Sequence, residues 1–343
     1  MASASKTTGG EKIIVFGGGN FGTGLAHHLA EKGNTVTILD RNPAIVESIQ
    51  KRHINEVFLP DVKLSHRITA KTSLAAADFV AVRAIVLAVP SQFLRDVLVQ
   101  YARHVTVDKL FISAVKGIEN STQLLPHGIV GDVLGKEIME GMVALSGPSF
   151  AVEVVAKQPT AVVVAGKNKA RVLEAQDLFH TPYFRAYSSD DPVGVEVAGA
   201  LKNVVAVAAG ACVGLEFQRN SLAALMTRGL AEITRLGVAM GAQPLTFVGL
   251  SGVGDLILTC SSEKSRNYRL GFYLSKGLSL EDVKQKLGSV AEGYTTARSA
   301  YELGRRLGVD TPIIDQVYEV LYQGKPIAEA VSALLTREAK SEL

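Results

Sequence analysis

The stretch KIIVFGGGNFGTGLAHHLAEKGNTVTILDRN, residues 12–42, decides the fold. Its apolar run at residues 13–16 is typical of a parallel strand that is buried on both faces. A glycine-rich turn follows, and the pattern after it predicts a helix over residues 21–32 and a second strand over residues 35–39. Strand, turn, helix and strand in this order predict the first unit of a doubly wound α/β sheet.

Three glycines in the turn, Gly17, Gly19 and Gly22, have the spacing G-x-G-x-x-G. The first glycine allows a tight bend, the second admits a pyrophosphate, and the third lets the helix pack on the strand. Asp40 ends the second strand, where an acid accepts hydrogen bonds from an adenosine ribose. The stretch therefore predicts NAD as cofactor. Asp40 would repel the 2′-phosphate of NADP and Arg41 could attract it, so use of NADP stays open. The alternative is a glycine-rich turn in some other doubly wound sheet.

Length and composition indicate a globular chain of two domains. The chain has 343 residues, of which 47% are hydrophobic and 20% charged, and this length is too large for one small core. A formal net charge of +3 without a dense basic run argues against nucleic-acid binding. Cys212, Cys260 and the scattered histidines have no disulfide or metal-ligand spacing, so no metal is expected. We expect the protein to be located in the cytoplasm, or in an organelle stroma or matrix if the N-terminus is a trimmed transit peptide.

The pattern of the chain changes from strands to helices near residue 190. We predict a disordered tail or transit remnant over residues 1–11, an NAD-binding Rossmann-like domain over residues 12–191, and an all-α substrate-binding domain over residues 192–343. The apolar stretch at residues 197–215 is interrupted by Lys202, so a buried helix is expected there rather than a membrane span. Further strands are predicted over residues 84–89, 110–115, 142–145, 160–165 and 184–187. Helices are predicted over residues 43–51, 92–101, 193–213, 221–240, 279–287, 295–307, 312–323 and 326–335.

Two lysines stand out by their surroundings. Lys202 lies in the apolar stretch, where an ammonium group is costly unless it is paired, neutralised or facing a cavity. Burial would lower its pKa and suit it to move a proton near neutral pH. The alternative is a surface lysine on the one polar face of its helix. Lys116 follows a predicted parallel strand, at the sheet edge where ligands of open α/β folds bind.

Two further segments carry polar groups whose role the residues alone leave open. Asp255 follows a glycine-containing turn and by itself is best interpreted as the N-cap of a helix. Residues 261–269 form a polar stretch, which is usually a solvated loop. Arg266 and Asn267 in this stretch could instead bind a phosphate or carboxylate in a forked geometry.

Together these segments resemble the NAD(P)-dependent glycerol-3-phosphate dehydrogenases of the soluble, bacterial and plastid type. The resemblance extends from about residue 12 to residue 324. It rests on ordered blocks: the glycine turn at residues 17–23, the loop at residues 55–60, AVPS at 88–91, KGIE at 116–119, LSGPSFA at 145–151, LKN at 201–203, GVGDL at 252–256, TC at 259–260, SRN at 265–267 and VAEG at 290–293. One departure is Asn20 with Phe21, where many relatives carry other residues, and both fit a phosphate turn.

The resemblance implies a reaction, the NAD(P)H-dependent reduction of dihydroxyacetone phosphate to sn-glycerol 3-phosphate, and a homodimer. Lys202 would be the general acid/base at the carbonyl oxygen near Asp255, and Lys116 would contact both substrate and nicotinamide. The implied substrate-binding set adds Gly147, Ser149, Thr259, Ser265, Arg266 and Asn267 to these three. The implied cofactor-binding set comprises Gly17, Gly19, Asn20, Phe21, Gly22, Asp40, Arg41, Lys116, Ala151, Arg266, Val290 and Glu292.

Two other functions compete with this interpretation. A β-hydroxyacid or 6-phosphogluconate-type dehydrogenase also pairs a Rossmann half with a helical half, but the blocks at residues 145–151 and 265–267 argue against it. A catalytically silent NAD sensor needs the glycine turn but no proton donor. The presence of Lys116, Lys202 and Asp255 argues against a sensor.

Overall fold

The computed structural model describes residues 10–288, 291–339 and 341. The chain forms two compact units, which we call the first and the second unit. The first unit takes the chain up to Val115 together with Pro126–Leu145 and Ser149–Asp190. The second unit takes the chain from Asp191 onward together with two short segments, Lys116–Leu125 and Ser146–Pro148.

The first unit is built on a sheet that has eight strands within the described residues, in the order β3-β2-β1-β4-β5-β6-β7-β8. The pairs β1–β2, β1–β4, β2–β3, β4–β5, β5–β6 and β7–β8 are parallel. The strands are β1 (Lys12–Phe16), β2 (Thr35–Leu39), β3 (Ile68–Lys71), β4 (Val82–Leu87), β5 (Leu110–Ser113), β6 (Val143–Ser146), β7 (Thr160–Ala165) and β8 (Phe184–Ser189). The order turns away from β1 in both directions, which is the doubly wound arrangement that the sequence predicts. The predicted fold class is confirmed.

Helices lie between these strands. They are α1 (Asn20–Glu31), α2 (Pro43–Arg52), α3 (Ser91–Tyr101), α4 (Pro126–Leu134), α5 (Lys136–Gly141), α6 (Ala151–Val155) and α7 (Lys169–Phe179). The predicted helices correspond to α1, α2 and α3. The sequence analysis assigned no helix to the residues of α4–α7. The core consists of the apolar strand residues and the inner faces of these helices, for example Val15, Val86 and Leu25, all fully buried.

The second unit is helical. Its helices are α8 (Pro192–Gly214), α9 (Arg219–Ala239), α10 (Asp255–Cys260), α11 (Arg266–Ser275), α12 (Leu280–Leu287), α13 (Glu292–Leu307), α14 (Pro312–Gln323) and α15 (Ile327–Leu335). A wide π-helical turn, Leu250–Gly254, leads into α10. Among the described residues, α8 is the one helix long and apolar enough to cross a membrane, and 83% of its apolar window is buried inside the protein.

The backbones of α8 and α11 lie in direct contact. A Cβ atom added to Gly210 of α8 would lie 1.8 Å from the carbonyl oxygen of Tyr268, and one added to Gly271 of α11 would lie 1.8 Å from that of Val207. Because no real Cβ atom approaches an oxygen so closely, only glycine fits at these two positions. The missing side chains let the two helix axes come close together.

Candidate active site

The glycine turn of the first unit has a geometry that only glycine can adopt. Gly17 has φ +109°, and an added Cβ would lie 2.6 Å from the carbonyl oxygen of Ala88. A Cβ on Gly22 would lie 2.0 Å from the carbonyl oxygen of Gly17. Gly19 precedes α1, and the space beside it is open, with no atom of the described residues within 4 Å of an added Cβ. The turn therefore leaves a cradle at the helix N-terminus, where the helix dipole and free N–H groups favour a phosphate.

Both backbone groups of Gly18 in this turn are held by side chains. The Gly18 N–H donates to Asp40 Oδ2 at 2.8 Å. The Gly18 carbonyl accepts hydrogen bonds from Asn55 Nδ2 at 2.8 Å and from Thr23 Oγ1 at 3.0 Å. Asn55 is fully buried and was missed as a site residue, although the loop at residues 55–60 was noted as a block. Its contact with Gly18 joins segments far apart in the chain and has no local sequence signal.

The other predicted cofactor-binding residues of the first unit lie at the starts of helices or next to Asp40 in the sequence. Asn20 and Phe21 begin α1, and Ala151 begins α6. Asn20 Oδ1 is buried without a hydrogen-bond partner among the described residues. The Arg41 guanidinium lies over the Phe93 ring, 4.4 Å from its centroid. An orphaned polar atom beside an open glycine cradle fits the binding of a dinucleotide. The predicted cofactor-binding residue Val290 lies outside the described residues. The predicted substrate-binding residue Ser149 lies just before α6.

In the second unit, two lysines share one carboxylate. Lys202 of α8 donates a hydrogen bond to Asp255 Oδ1, and Lys116 donates to Asp255 Oδ2 at 2.8 Å. Thr259 Oγ1 accepts a further hydrogen bond from Lys202 Nζ at 2.8 Å. Lys202 is 5% exposed and Asp255 1%. The interpretation of Lys202 as a surface lysine is therefore wrong.

The interpretation of Asp255 as an N-cap is also wrong. Asp255 is the first helical residue of α10, Gly254 takes the N-cap position, and the Asp255 carboxylate binds the two lysines. The local pattern of a turn followed by an acid could not reveal this. The partners of Asp255 come from elements that are distant in the sequence.

Burial and charge shift the pKa values of this cluster. Burial lowers the pKa of Lys202 to about 8. The Asp255 carboxylate acts in the opposite direction and raises this pKa, and the Lys116 ammonium lowers it further. Burial of Asp255 favours its neutral form, but Lys116 and Lys202 outweigh this and hold the pKa of Asp255 below its ordinary value. The cluster thus contains a buried amine that can exchange a proton close to neutral pH.

Two asparagine side chains connect this cluster to α11 and α13. Asn203 Nδ2 donates to the carbonyl oxygens of Lys116 at 3.3 Å and Gly199 at 3.4 Å, and Asn203 Oδ1 accepts from Asn267 Nδ2 at 2.8 Å. Asn267 Oδ1 in turn accepts from the Gly293 N–H at 2.8 Å. Asn203 was missed as a site residue. Its signals were its neighbour Lys202 and its place in the block at residues 201–203.

The residues predicted for the substrate phosphate lie on a helix and not in a loop. Ser265 is the N-cap of α11, its Oγ accepts from the Tyr268 N–H at 3.2 Å, and Arg266 and Asn267 are the first helical residues. The predicted solvated loop over residues 261–269 is therefore wrong from Arg266 onward. Arg266 is half-buried. The N-terminus of this helix offers N–H groups and a positive dipole end beside the guanidinium, a combination that suits an anion.

Two more predicted residues adjoin these groups. The Gly147 carbonyl oxygen lies 3.4 Å from Lys116 Nζ, which donates to it. Glu292 begins α13, and its pKa is raised by burial, against the charges of Arg266, Lys116 and Lys202. Among the described residues, no group of three or more histidine, cysteine, aspartate or glutamate side chains could hold a metal ion.

Comparisons with known proteins identify the family of this chain. Models of the NAD-dependent glycerol-3-phosphate dehydrogenase N-terminus and C-terminus match residues 12–172 and 191–332. The chain belongs to the NAD-dependent glycerol-3-phosphate dehydrogenase family. It is 48% identical over 332 residues to the NAD(P)+ glycerol-3-phosphate dehydrogenase of Anaeromyxobacter sp. (strain K), covering 97% of this chain and 100% of that protein. The corresponding enzyme of Enterococcus faecalis is 44% identical, with 97% of each chain covered.

A solved structure gives the same family. The glycerol-3-phosphate dehydrogenase of Coxiella burnetii superposes with a TM-score of 0.91 at 32% identity, covering 96% of this chain and 100% of that one. The resemblance that the sequence analysis drew from its ordered blocks is confirmed. As a member of the glycerol-3-phosphate dehydrogenase family, the chain is an oxidoreductase that uses NAD or NADP.

Proposed function

We propose that the chain catalyses the reversible NAD(P)H-dependent reduction of dihydroxyacetone phosphate to sn-glycerol 3-phosphate, with Lys202 as the proton donor and acceptor. The observation that carries this proposal is the buried cluster in which Lys202 and Lys116 share the carboxylate of Asp255. Such a cluster has no evident structural benefit, because burying three charged groups is costly.

Lys202 would act on the oxygen of the substrate carbonyl. As hydride arrives at C2, negative charge develops on this oxygen, and an ammonium group within hydrogen-bond distance stabilises the charge and donates a proton. Asp255 and Thr259 accept hydrogen bonds from Lys202 and so fix the direction of its Nζ atom. Lys116 would add a second positive charge beside the same oxygen.

Residues of the glycine turn would hold the cofactor. Gly17, Gly19 and Gly22 supply the cradle for the pyrophosphate, and Asn20, Phe21, Asp40, Arg41, Ala151 and Glu292 would contact the rest of the dinucleotide. The chemistry that the cofactor supplies, when bound, is a hydride for C2 of the substrate. The chain has to orient the substrate and move the proton.

Arg266 would bind the substrate phosphate. Its guanidinium can form two parallel charge-assisted hydrogen bonds to phosphate oxygens, and the N-terminus of α11 supports the same negative charge. The Asn267 side chain is engaged by Asn203 and Gly293, so we expect its contribution to the phosphate from its backbone N–H. Binding energy from the phosphate would orient the reacting carbon.

Turnover of the Lys202→Ala variant tests this proposal. With dihydroxyacetone phosphate and NADH, we expect kcat to fall by roughly 10²–10⁴, the usual contribution of general acid–base catalysis. Binding of NADH, followed by its fluorescence, should survive. The matched control is Lys276→Ala, a lysine at the end of α11 that is 41% exposed in its side chain, for which kcat should not change. Near wild-type turnover by Lys202→Ala would refute the role of Lys202.

We also propose that the chain is a homodimer of the cytoplasm. The bacterial origin of the curated relatives supports the compartment, and the family resemblance supports the dimer. Light scattering on the purified chain tests the oligomeric state, with a mass of one chain, 36.4 kDa, as the contrary result.

A further inference from the structure

Asp191 is a buried carboxylate that no step of the proposed reaction uses. It is 2% exposed and stands at the start of the second unit, directly before α8. Its Oδ1 atom accepts a hydrogen bond from the Gly194 N–H at 3.0 Å and so caps the helix. Its Oδ2 atom accepts two more, from the Gln243 N–H at 2.9 Å and from Thr246 Oγ1 at 2.6 Å.

The two oxygens of Asp191 hold two different segments. Oδ1 holds the first turn of α8, the helix that carries Lys202 further along. Oδ2 holds the segment that begins at Gln243 and leads through the π-helical turn to Asp255. The Asp191 carboxylate therefore joins two places. One is the start of α8, which carries Lys202, and the other is the start of the segment that ends at Asp255.

Parts of the segment between Thr246 and Asp255 are fixed by packing, although Val248 is 64% exposed. Phe247 is fully buried, and a Cβ on Gly252 would lie 2.0 Å from the Phe247 carbonyl oxygen. The Gly254 N–H donates to the Gly249 carbonyl at 3.2 Å across the wide turn. Phe247, the neighbour of Thr246, is thus held against Gly252 in the turn before Asp255, and because such close contacts pass on strain, we expect a shift at Thr246 to move Asp255 as well.

We propose that Asp191 is a positioning residue for the reaction: its carboxylate fixes the segment that ends at Asp255 against the helix that carries Lys202. This inference rests on the proposed function, because it assigns to Asp191 the alignment of the proposed proton donor. Helix capping alone would need only one oxygen. The two hydrogen bonds to Oδ2 belong to the alignment and not to the cap.

Two variants separate the alignment from the cap. Asp191→Asn keeps an equally good N-cap oxygen for Gly194 but turns an amide donor toward the Gln243 N–H and the Thr246 hydroxyl. Thr246→Val removes one hydrogen bond to Oδ2, keeps the volume, and leaves both the cap and Asp191 unchanged. The matched control is Asn168→Ala, which removes the side-chain cap of α7 in the first unit.

The pH dependence of kcat is the deciding measurement. Reduction needs protonated Lys202, so kcat should fall as the pH rises past the pKa of Lys202, which burial lowers to about 8. The groups that act on Lys202 are the Asp255 carboxylate, which raises this pKa, and Lys116, which lowers it; Cys260 and Glu292 also face its charge. Moving Asp255 away should shift the fall in kcat to lower pH by about one unit.

For Asp191→Asn and Thr246→Val, we expect the shifted pH profile and a fall in kcat, roughly tenfold for Asp191→Asn, with the KM for NADH unchanged. Asn168→Ala should lower the melting temperature without moving the profile. If both variants lose thermal stability but keep the wild-type kcat and profile, the positioning role is overturned. Two further assays in parallel separate the two ideas: a wild type that does not reduce dihydroxyacetone phosphate refutes the proposed function itself, and wild-type turnover by Lys202→Ala refutes the role of Lys202. Thr246→Val decides the matter if Asp191→Asn does not fold.

Discussion

At the scale of single residues, variants of Arg266 distinguish an enzyme that binds a substrate phosphate from a general reductase. We expect Arg266→Ala to lower kcat/KM for dihydroxyacetone phosphate. The loss of transition-state stabilisation should be on the order of 2–5 kcal/mol, the scale of breaking a buried charge pair. Arg266→Lys should not restore the wild type, because lysine keeps the charge but loses the fork. Kinetics with both variants check this expectation.

Unphosphorylated dihydroxyacetone is the control for the prediction on Arg266. It should be a very poor substrate of the wild type, and Arg266→Ala should barely change its rate. A comparable loss on both substrates would mean that Arg266 supports the fold or the cofactor and not the phosphate.

We expect Asp40 to govern the choice between NADH and NADPH. We expect a higher kcat/KM with NADH, and we expect Asp40→Ala to narrow the difference by removing both a ribose acceptor and a charge that repels the 2′-phosphate. Because Asp40 Oδ2 also accepts the Gly18 N–H, the same change should weaken the binding of both cofactors. Arg41→Ala is the opposite control and should widen the difference. A wild type that prefers NADPH would contradict this assignment.

At the scale of elements, we expect Glu232 to make the contact between α9 and α14 depend on pH. Its carboxylate, buried in α9, accepts the N–H groups of Ile313 at 2.8 Å and Ile314 at 3.1 Å. Burial raises the pKa of Glu232 from 4.5 to about 7, against these hydrogen bonds. Between these two values the folded chain holds a proton that the unfolded chain releases. The stabilisation is therefore complete below about pH 4.5 and is lost as the pH rises through 7.

The free energy of unfolding at pH 5 and pH 8 tests this dependence. We expect the wild type to lose about 2–3 kcal/mol more than Glu232→Gln over this interval, since glutamine cannot ionise. Glu47→Gln, an exposed change on α2, should behave like the wild type. A wild type that gains stability relative to Glu232→Gln as the pH rises would show the opposite sign and refute the assignment.

The elements differ in how well the sequence predicts them. Buried parallel strands such as β1 and β4 are apolar throughout, so a short window of residues identifies them. Helix α11 begins with Arg266, Asn267 and Tyr268, and these polar side chains, two of them buried, conceal a helix that Ser265 caps. Contacts between distant segments were beyond such windows: Lys116 and Asp255 are 139 residues apart in sequence. The sequence thus supplied candidates for the site, and the fold supplied their partners.

At the scale of the whole molecule, the second unit includes two segments from the N-terminal half of the chain. Lys116–Leu125 and Ser146–Pro148 belong to it, and the first of these brings Lys116 to Asp255. A chimera with the Enterococcus faecalis relative, joined only between residues 190 and 191, would combine these segments with a foreign helical unit. We expect it to melt at a lower temperature and to have a lower kcat/KM than a chimera that exchanges both segments as well. Equal values for the two chimeras would contradict this division of the chain.

The contact between the backbones of α8 and α11 has a consequence for selectivity. These helices carry Lys202 and Arg266, and the glycines at their crossing leave no flexible side chain between them that could yield. The backbone positions that carry the proposed proton donor and the proposed phosphate anchor are thus set relative to each other by two main chains. We therefore expect a ketose phosphate with one more carbon between its carbonyl and its phosphate to be a poorer substrate than a three-carbon phosphate ester.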